Sequence, residues 1–493
     1  MYKKQGNRNI SLYTFNESLG IKLDETKQII KIADFIQWDN YEDKYADLFP
    51  SKKGRPAHSF RTACATLILQ AYTGLSDRKL EEAISENPYY QYFIGCQEYT
   101  IKAPVCHSSI GEFRKRITPD MVNELNDEII KFIYKENGRD FDNPDGQLFI
   151  EEYDNEGEIT FGYENDNLGT AIIDATCSPQ NIKYPQDYVL LNDARIKTEE
   201  IIDKLYSLSG KKGVKPRTYR RKLNQDYLKV AKMRRKNTKT IRSLIRKLLH
   251  AIERNMRYII SFQDAGLKLN DAEVAYIETI NKLFEQQKYM FQNHTHQVKD
   301  RIVSIHQPYI RPIVRGKAKN PVEFGSKYEV LVDENHIARL EKISFDPYNE
   351  SETLIDSVEK FKVIRGHYPE RVLVDQIYRT QKNIKFCNDH NIVISGPKLG
   401  RPPKDEKISK SEKEQNRKNN VDRIEVERFF SKTKRCFGAN LIKTKLADTT
   451  FTVIGFIVLT ANLFSLDLEP GIFLYYFFDN CSPKSEIDQI WMF

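Results

Sequence analysis

The sequence predicts an α/β chain, α+β overall, in which a mixed sheet with helices is interrupted by a basic helical insertion and preceded by an all-helical N-terminal domain. Three observations lead to this prediction. The first 138 residues show helical apolar spacing, compact apolar runs of strand length begin near Thr170, and a long helical block separates the first such run from the others. At 493 residues and 40% hydrophobic content, the chain can form two or three domains with a large core.

The N-terminal region is predicted to consist of short helices. Residues 60–72, FRTACATLILQAY, have an apolar face and are followed by a break at Gly74. Residues 76–88, SDRKLEEAISENP, begin with cap residues and end at a proline. Further helices are expected around 108–118 and over 119–134. We therefore expect residues 1–138 to form one helical domain.

Strand signals begin after an acidic stretch, residues 139–168, that is expected to be a linker. AIIDAT, residues 171–176, has the composition of a buried strand. A hairpin-like pair, a helix and the strand RVLVDQ are expected in order at 326–333, 337–345, 350–366 and 371–376. IVISG, residues 392–396, is a fifth candidate strand. The predicted order is β-β-β-α-β, with a mainly helical insertion at 180–320 after the first strand.

Two final helices are expected near 417–436 and 446–465. The second contains a stretch of eighteen uncharged residues, 449–466, which reaches the lower limit for a membrane span. Threonine, asparagine and serine side chains interrupt the stretch, so we favour a buried core helix. Residues 466–493 form a tail to which the sequence assigns no role.

Charge is strongly segregated along the chain. The 77 Lys and Arg residues against 69 Asp and Glu residues give a net charge of +8. Residues 211–250 hold sixteen of these bases and one acid, a net of +15, which leaves −7 for the rest of the chain. Such a basic segment, in which Tyr219 and Tyr227 alternate with cations, is suited to a polyanionic partner, although a solvated surface is the alternative.

Cysteine usage and short motifs exclude several function classes. The seven cysteines are scattered and contain no C-x-x-C pair, so neither a disulfide framework nor a cysteine metal site is expected. A reducing cytoplasm fits this pattern, and no signal-peptide pattern follows the N-terminus. The sequence contains no G-x-x-x-x-G-K-[ST], G-x-S-x-G or H-E-x-x-H motif, which leaves ATP-driven, serine-hydrolase and zincin chemistry without support.

Two aspartates interrupt apolar strands, Asp174 in AIIDAT and Asp375 in RVLVDQ. A carboxylate in such a strand is costly to bury without a cation or a proton. Each aspartate alone is more simply explained as a strand end that caps the next turn. Two of them in neighbouring strands favour a shared site for Mg²⁺, which prefers oxygen ligands.

A third candidate acid lies in the segment VDRIEVERFFSKTKRCFGAN. Arg423, Glu427 and Lys434 fall on one stripe of a helix, whereas Glu425 points about 200° away from Glu427 at roughly 100° per residue. A solvated ladder of salt bridges is the common explanation of such a stripe. The neighbouring Phe429 and Phe430 indicate that this helix packs against the protein.

Several segments together resemble bacterial insertion-sequence DDE transposases, which have a ribonuclease-H-like catalytic core. These segments are CSPQNIKYPQD after Asp174, RPIVRGKAKNPVEFGSK, EKISFDPYNE, VDQIYRTQKN with SGPKLGRP, and VERFFSKTKRCFGA. They occur in the family's order and cover roughly residues 50–465. The family signature Tyr-x2-Arg-x3-Glu-x6-Lys is matched by Arg423, Glu427 and Lys434, with Asn420 in place of the tyrosine.

The resemblance implies a catalytic triad of Asp174, Asp375 and Glu427 that holds two Mg²⁺ ions, for which Mn²⁺ is a possible substitute. It places the ribonuclease-H-like core at residues 169–179 and 321–465. It also implies a role for residues 1–138 in DNA binding or dimerisation, for which Arg61, Arg78, Arg114 and Arg116 are candidates. The candidate DNA-binding residues elsewhere are Arg423, Lys434, Arg379 and Lys382 near the acids, and Arg220, Arg221, Lys222, Arg234, Arg235 and Lys236 in the insertion.

The implied partners are double-stranded DNA, as terminal inverted repeats and as target, and further copies of the chain in a homodimer or higher synaptic oligomer. The implied activity is DNA cleavage and strand transfer in the bacterial cytoplasm, in association with the nucleoid when DNA is bound. Two alternatives stay open at this point. One is an inactive, element-derived DNA-binding protein, and the other is a metal-dependent nuclease without strand transfer.

Overall fold

The computed structural model describes residues 2, 11–50, 53–136, 150–153, 159–162, 167–211, 213–314, 322–396 and 406–466. Within 11–136 the chain is helical, as the sequence predicts. The helices are α1 Leu12–Leu19, α2 Gln28–Phe35, α3 Glu42–Ala46, α4 Phe60–Thr73, α5 Asp77–Glu86, α6 Pro88–Phe93, α7 His107–Arg116 and α8 Pro119–Glu136, with a 3-10 helix at Trp38–Tyr41. Most of the acidic linker and the tail beyond residue 466 lie outside the described residues.

A mixed sheet and a helical insertion make up the middle of the chain. The linker contains a two-stranded hairpin, β1 Ile150–Tyr153 and β2 Ile159–Gly162. The first strand of the main sheet and the insertion follow as β3 Thr170–Pro179, α9 Asp187–Leu208, α10 Arg220–Ala231, α11 Thr238–Asp264 and α12 Asp271–Gln292. The expected strand at 171–176 and the helical character of the insertion are confirmed.

The remaining elements complete the sheet and the layer of helices around it. They are β4 Arg311–Val314, β5 Val322–Val332, β6 Ala338–Ser344, α13 Leu354–Arg365, β7 Arg371–Leu373, α14 Gln381–Asp389, β8 Val393–Ile394, α15 Glu406–Asp422, α16 Ile424–Cys436 and α17 Ala447–Leu463, with 3-10 helices at Glu350–Glu352 and Gln376–Tyr378. The expected strands and the helix at 350–366 are present. Strand β4, which contains Pro312, was not predicted: it lies within the range expected for the insertion, 180–320, but pairs with β5 in the main sheet.

The strand order in the sheet is β4-β5-β3-β7-β8, and β6 also pairs with β5. Strands β3 and β5 are antiparallel, whereas β3, β7 and β8 are parallel. Gly325 on β5 allows the close pairing with β3, since a Cβ built there would lie 2.0 Å from the Ser178 carbonyl oxygen.

Both faces of the sheet are covered. On one face, Tyr328, Val330 and Leu340 share a continuous core with the N-terminal helices, α16 and α17. On the other face, Ile173 and Leu331 pack against α13 and α14. The insertion has its own core, formed by residues of α9 to α12 such as Leu248. The N-terminal helices are therefore anchored directly to the sheet.

Helix α17 is buried along most of its length, as expected for a core helix. Several of its polar side chains are hydrogen-bonded: the Thr450 hydroxyl donates to the Leu446 carbonyl at 3.0 Å, one turn earlier, and the Thr452 hydroxyl donates to the Asp448 carbonyl and to the distant Ile117 carbonyl. None of the described helices has both the length and the apolarity needed to cross a membrane.

Candidate active site

Asp174 occupies the one partly exposed position between Thr170 and Ser178 of the otherwise buried strand β3. The Ala175 N–H donates to its Oδ1 at 2.8 Å. Burial, together with the charges of Asp375 and Glu350, raises the pKa of Asp174 to about 6, although the Ala175 hydrogen bond and Arg423 oppose the rise. The carboxylate therefore lies where a bound cation would stabilise its charged form.

Asp375 follows the last residue pair of the parallel β3–β7 ladder. Ile172 is opposite Leu373, so the chain direction brings Asp174 and Asp375 to the same end of neighbouring strands. About half of the Asp375 side chain is exposed, and its Oδ1 lies 2.6 Å from Nη1 of Arg423. Asp375 occupies the cap position of the 3-10 helix Gln376–Tyr378, but its side chain makes no capping bond.

Glu427 lies on α16, which crosses β3 and β5 and buries Val426, Phe429 and Phe430 against them. Its own side chain is exposed to the cleft described below. The predicted helix at 417–436 is interrupted at Arg423, which separates α15 from α16 and is the cap residue of α16. The break does not remove Arg423 from the site, since it pairs with Asp375.

A cleft of about 580 Å³ brings the predicted acids together. Asp174, Asp375 and Glu427 all line it, along with Arg423 and Lys434. The Lys434 ammonium donates to the Thr176 hydroxyl at 2.8 Å, which ties α16 to β3 beside the acids. Glu425, which the helical geometry excluded, instead pairs with His336 at 3.2 Å and with Arg428.

The cleft also contains residues that the sequence did not indicate as candidates. Glu350 and Lys327 line it and form an ion pair with an Nζ–Oε1 distance of 2.7 Å. Ile313 and Val314 of β4 provide an apolar part of its wall. The only sequence signal for Glu350 was its position at the end of EKISFDPYNE, one of the segments that carry the resemblance.

The side chains in the cleft form a donor set suited to a divalent cation, although they do not converge on one point. Within the described residues, no group of three or more His, Cys, Asp or Glu side chains is close enough to hold a metal ion. Asp375 is paired with Arg423 and Glu350 with Lys327. Carboxylate oxygens are nevertheless the ligands that Mg²⁺ prefers, and Asp174 carries the burial cost of a carboxylate without an ion pair in the described structure.

Two of the predicted DNA contacts near the acids lie outside the cleft lining. The Arg379 guanidinium donates to the Ile394 carbonyl at 3.3 Å and to the Ser395 carbonyl, so it holds the end of β8. Lys382 is exposed on the first turn of α14.

The basic residues of the insertion fall into two groups. Arg220 makes a bidentate ion pair with Asp203, at 2.7 and 2.9 Å, and Lys236 donates to the Tyr188 hydroxyl at 2.8 Å. The others are exposed and make no hydrogen bond or ion pair with the described part of the chain; they are Arg221, Lys222, Arg234 and Arg235.

The N-terminal arginines are mostly used within the fold. Arg61 is enclosed between the rings of Trp38 and Tyr92 and donates to the carbonyls of Tyr92 and Phe93. Arg114 pairs with Asp77 at 2.6 Å, and Arg116 lies over the Phe49 ring. Arg78 is exposed at the mouth of a cavity between α4, α5 and the α16–α17 connection.

Comparisons with known proteins find two segments of the chain that are similar to transposase domains. Residues 17–116 match a family described as a transposase domain (DUF772), and residues 372–464 match a transposase DDE domain. A curated relative from Rhizobium meliloti, "Uncharacterized protein ORF8 in nfe locus", is 29% identical over 111 residues, which cover 22% of this chain and 53% of the relative. The chain thus spans about half the length of that relative.

No solved structure matches the chain significantly. The family evidence therefore rests on two segments, one covering the N-terminal helices and one covering the region that contains Asp375 and Glu427. Both segments are similar to transposase domains, and together the two matches indicate an insertion-sequence DDE transposase.

Proposed function

We propose that the protein binds the terminal inverted repeats of its own element and catalyses metal-dependent DNA cleavage and strand transfer. The observation that carries this proposal is the single cleft lined by Asp174, Asp375 and Glu427. We also propose that residues 169–179 and 321–465 form a ribonuclease-H-like core. The strand order and the acids on β3, after β7 and on α16 support this assignment.

The proposed roles follow from the position of each side chain. Asp174, Asp375 and Glu427 would hold Mg²⁺, which supplies activation of a water or a 3′-hydroxyl and stabilisation of the leaving oxygen. Arg423 holds the Asp375 carboxylate and, with Lys434, brings positive charge to the acidic cleft. Such cations suit the binding of a DNA phosphate next to the acids.

The basic insertion is proposed to hold the DNA backbone, mainly through its exposed cations. Arg221, Lys222, Arg234 and Arg235 carry this role, because Arg220 and Lys236 have partners within the insertion. The helices of residues 1–138 are proposed to bind the element ends or to dimerise, and two paired ends require at least a dimer for transposition. Residues 139–168 are proposed to act as a linker.

A cleavage and joining reaction tests the proposed function. Purified full-length protein, Mg²⁺ and a labelled element end should yield 3′-hydroxyl ends and joined products. Asp174→Ala and Glu427→Gln should each abolish both products and retain DNA binding, because they remove a metal ligand and leave the basic surfaces intact. Glu425→Gln is the matched control on the same helix and should retain activity, since Glu425 faces His336 rather than the cleft.

Each contrary outcome of this reaction has a defined meaning. Full activity of the Asp174→Ala or Glu427→Gln variant would refute the assignment. Cleavage without joined products would identify a metal-dependent nuclease. DNA binding by the wild type with neither product would identify an inactive element-derived binding protein.

A further inference from the structure

The cleft contains a fourth acid that the proposed triad does not use. Glu350 begins the 3-10 helix Glu350–Glu352 and lines the same cleft as Asp174 and Asp375. Its side chain is only 19% exposed. Glu350 therefore shares the wall of the cleft with two of the proposed metal ligands.

Glu350 is paired with a lysine that has its own fixed position. The Lys327 ammonium lies 2.7 Å from Oε1 of Glu350, and the Lys327 side chain is only 14% exposed. It also donates to the Tyr348 carbonyl at 3.0 Å and lies 4.4 Å from the centre of the Tyr348 ring. Lys327 therefore has contacts that persist when Glu350 turns towards another cation.

A buried amide joins the Glu350 and Asp375 loops. The Asn383 side chain is 2% exposed, and its Nδ2 donates to the carbonyls of Ser351 at 2.7 Å and Tyr378 at 2.8 Å. Ser351 follows Glu350 directly, and Tyr378 closes the 3-10 helix that begins after Asp375. Asn383 thus fixes the two acid-bearing loops relative to each other. Such rigid support is what a shared ligand site requires.

We propose that Glu350 is a fourth metal-binding carboxylate of the cleft, which joins Asp174 and Asp375 around the divalent ion, and that Lys327 is the counter-ion which the metal replaces. This inference rests on the proposed function, because it extends the same metal site. If the Glu350–Lys327 ion pair only stabilised the fold, a change at Glu350 would leave the metal affinity of the protein unchanged. If Glu350 binds the metal, the same change lowers that affinity.

Binding of Mn²⁺ to the full-length protein, without DNA, tests the inference. Free Mn²⁺ is followed by electron paramagnetic resonance during a titration. Glu350→Gln should weaken Mn²⁺ binding at least 10-fold, because it removes one anionic ligand and keeps the shape of the side chain. Glu352→Gln is the matched control in the same short helix; its exposed side chain lies outside the cleft lining, and its affinity should equal that of the wild type.

If Glu350→Gln folds poorly, a second variant tests the same inference. Lys327→Met removes the competing cation and leaves Glu350 in place, so it should tighten Mn²⁺ binding several-fold. Unchanged or weaker binding by Lys327→Met would overturn the inference. The same holds for wild-type affinity in a folded Glu350→Gln variant, with folding checked by circular dichroism.

Asp174→Asn separates this inference from the proposed function. Loss of Mn²⁺ binding in Asp174→Asn together with wild-type binding in Glu350→Gln would overturn the role of Glu350 alone. If the wild type took up no Mn²⁺, or if Asp174→Asn bound it normally, the proposed metal site itself would fail.

Discussion

At the scale of single residues, Glu329 is a fully buried acid on the strand that also carries Lys327 of the cleft. It lies on β5 with 0% of its surface exposed, and its Oε1 accepts a hydrogen bond from the Thr353 hydroxyl at 2.6 Å. Burial, with a smaller contribution from nearby acids, raises the pKa of Glu329 to about 7.

We predict that Glu329→Gln stabilises the protein at pH 8 by about 1–3 kcal/mol. The pKa of Glu329 is about 7 in the folded protein and about 4.3 when unfolded. Between these two pH values the folded protein therefore keeps a proton on Glu329 that the unfolded chain has lost. The free energy of unfolding of the wild type therefore falls as pH rises through 7. Urea unfolding from pH 5 to pH 8 should show the advantage of the variant shrinking towards low pH.

The exposed Glu352 provides the control for this pH dependence. Glu352→Gln should shift the unfolding free energy by less than about 0.5 kcal/mol at every pH. An offset between Glu329→Gln and the wild type that stays constant from pH 5 to pH 8 would contradict the raised pKa of Glu329.

The sequence indicated the three acids of the proposed triad but not the Glu350–Lys327 ion pair of the same cleft. Asp174 and Asp375 were recognisable because acids are rare in apolar strands, and the structure places both in one cleft with Glu427. Glu350 and Lys327 were missed, because their proximity depends on the register of β5 and on a 3-10 helix. Neither feature leaves a periodic signal in the sequence.

At the scale of elements, a count of charges along the basic insertion does not reveal which of its basic side chains pair within the fold. The high density of Lys and Arg over 211–250 indicated a basic surface. The structure shows that Arg220 pairs with Asp203 on α9, outside the basic segment. Linear charge patterns could not predict this pairing, since it depends on how α9 and α10 pack. Charge density therefore identified the segment but not the residues available to a ligand.

We predict that removing the exposed charges of Arg234 and Arg235 weakens DNA binding with a characteristic salt dependence. If each arginine contacts one phosphate, the double variant Arg234→Gln/Arg235→Gln should reduce the slope of log affinity against log salt by about 1.8. Binding should weaken similarly for element ends and unrelated DNA, because phosphate contacts carry no sequence information. Fluorescence anisotropy at several salt concentrations measures both effects.

Two lysines outside the basic segment serve as the matched control. Lys268→Gln/Lys282→Gln removes the same charge from exposed positions and should leave the salt slope unchanged. Equal slopes for the wild type and the arginine double variant would exclude Arg234 and Arg235 from the DNA contact.

At the scale of the whole molecule, one buried asparagine joins the N-terminal helices to the sheet. Asn462 of α17 has no exposed surface; its Nδ2 donates to Oδ1 of Asn126 and to the Ala338 carbonyl, both at 2.7 Å. Its Oδ1 accepts from the Ala338 N–H at 3.0 Å. These bonds connect α17, α8 and β6. The sequence predicted that α17 is buried, but uniform apolarity does not reveal which elements bury it.

We predict that Asn462→Ala lowers the free energy of unfolding by about 3–5 kcal/mol. The substitution leaves the Asn126 amide and the Ala338 backbone N–H without this buried partner. Urea unfolding followed by circular dichroism measures the loss. Asn440→Ala, at an exposed position, should change stability by less than about 0.5 kcal/mol, and a similarly small loss in Asn462→Ala would contradict this role.

The insertion leaves and rejoins the sheet at the same level of strand β5. Pro179 at the end of β3 and Arg311 at the start of β4 are both paired opposite Gly325 of β5. The chain thus leaves and re-enters the sheet about 10 Å apart, two strand spacings across β5. A connection of a few residues would be long enough for that gap, so the pairing of β3 and β4 with β5 does not depend on the length of the segment 180–310.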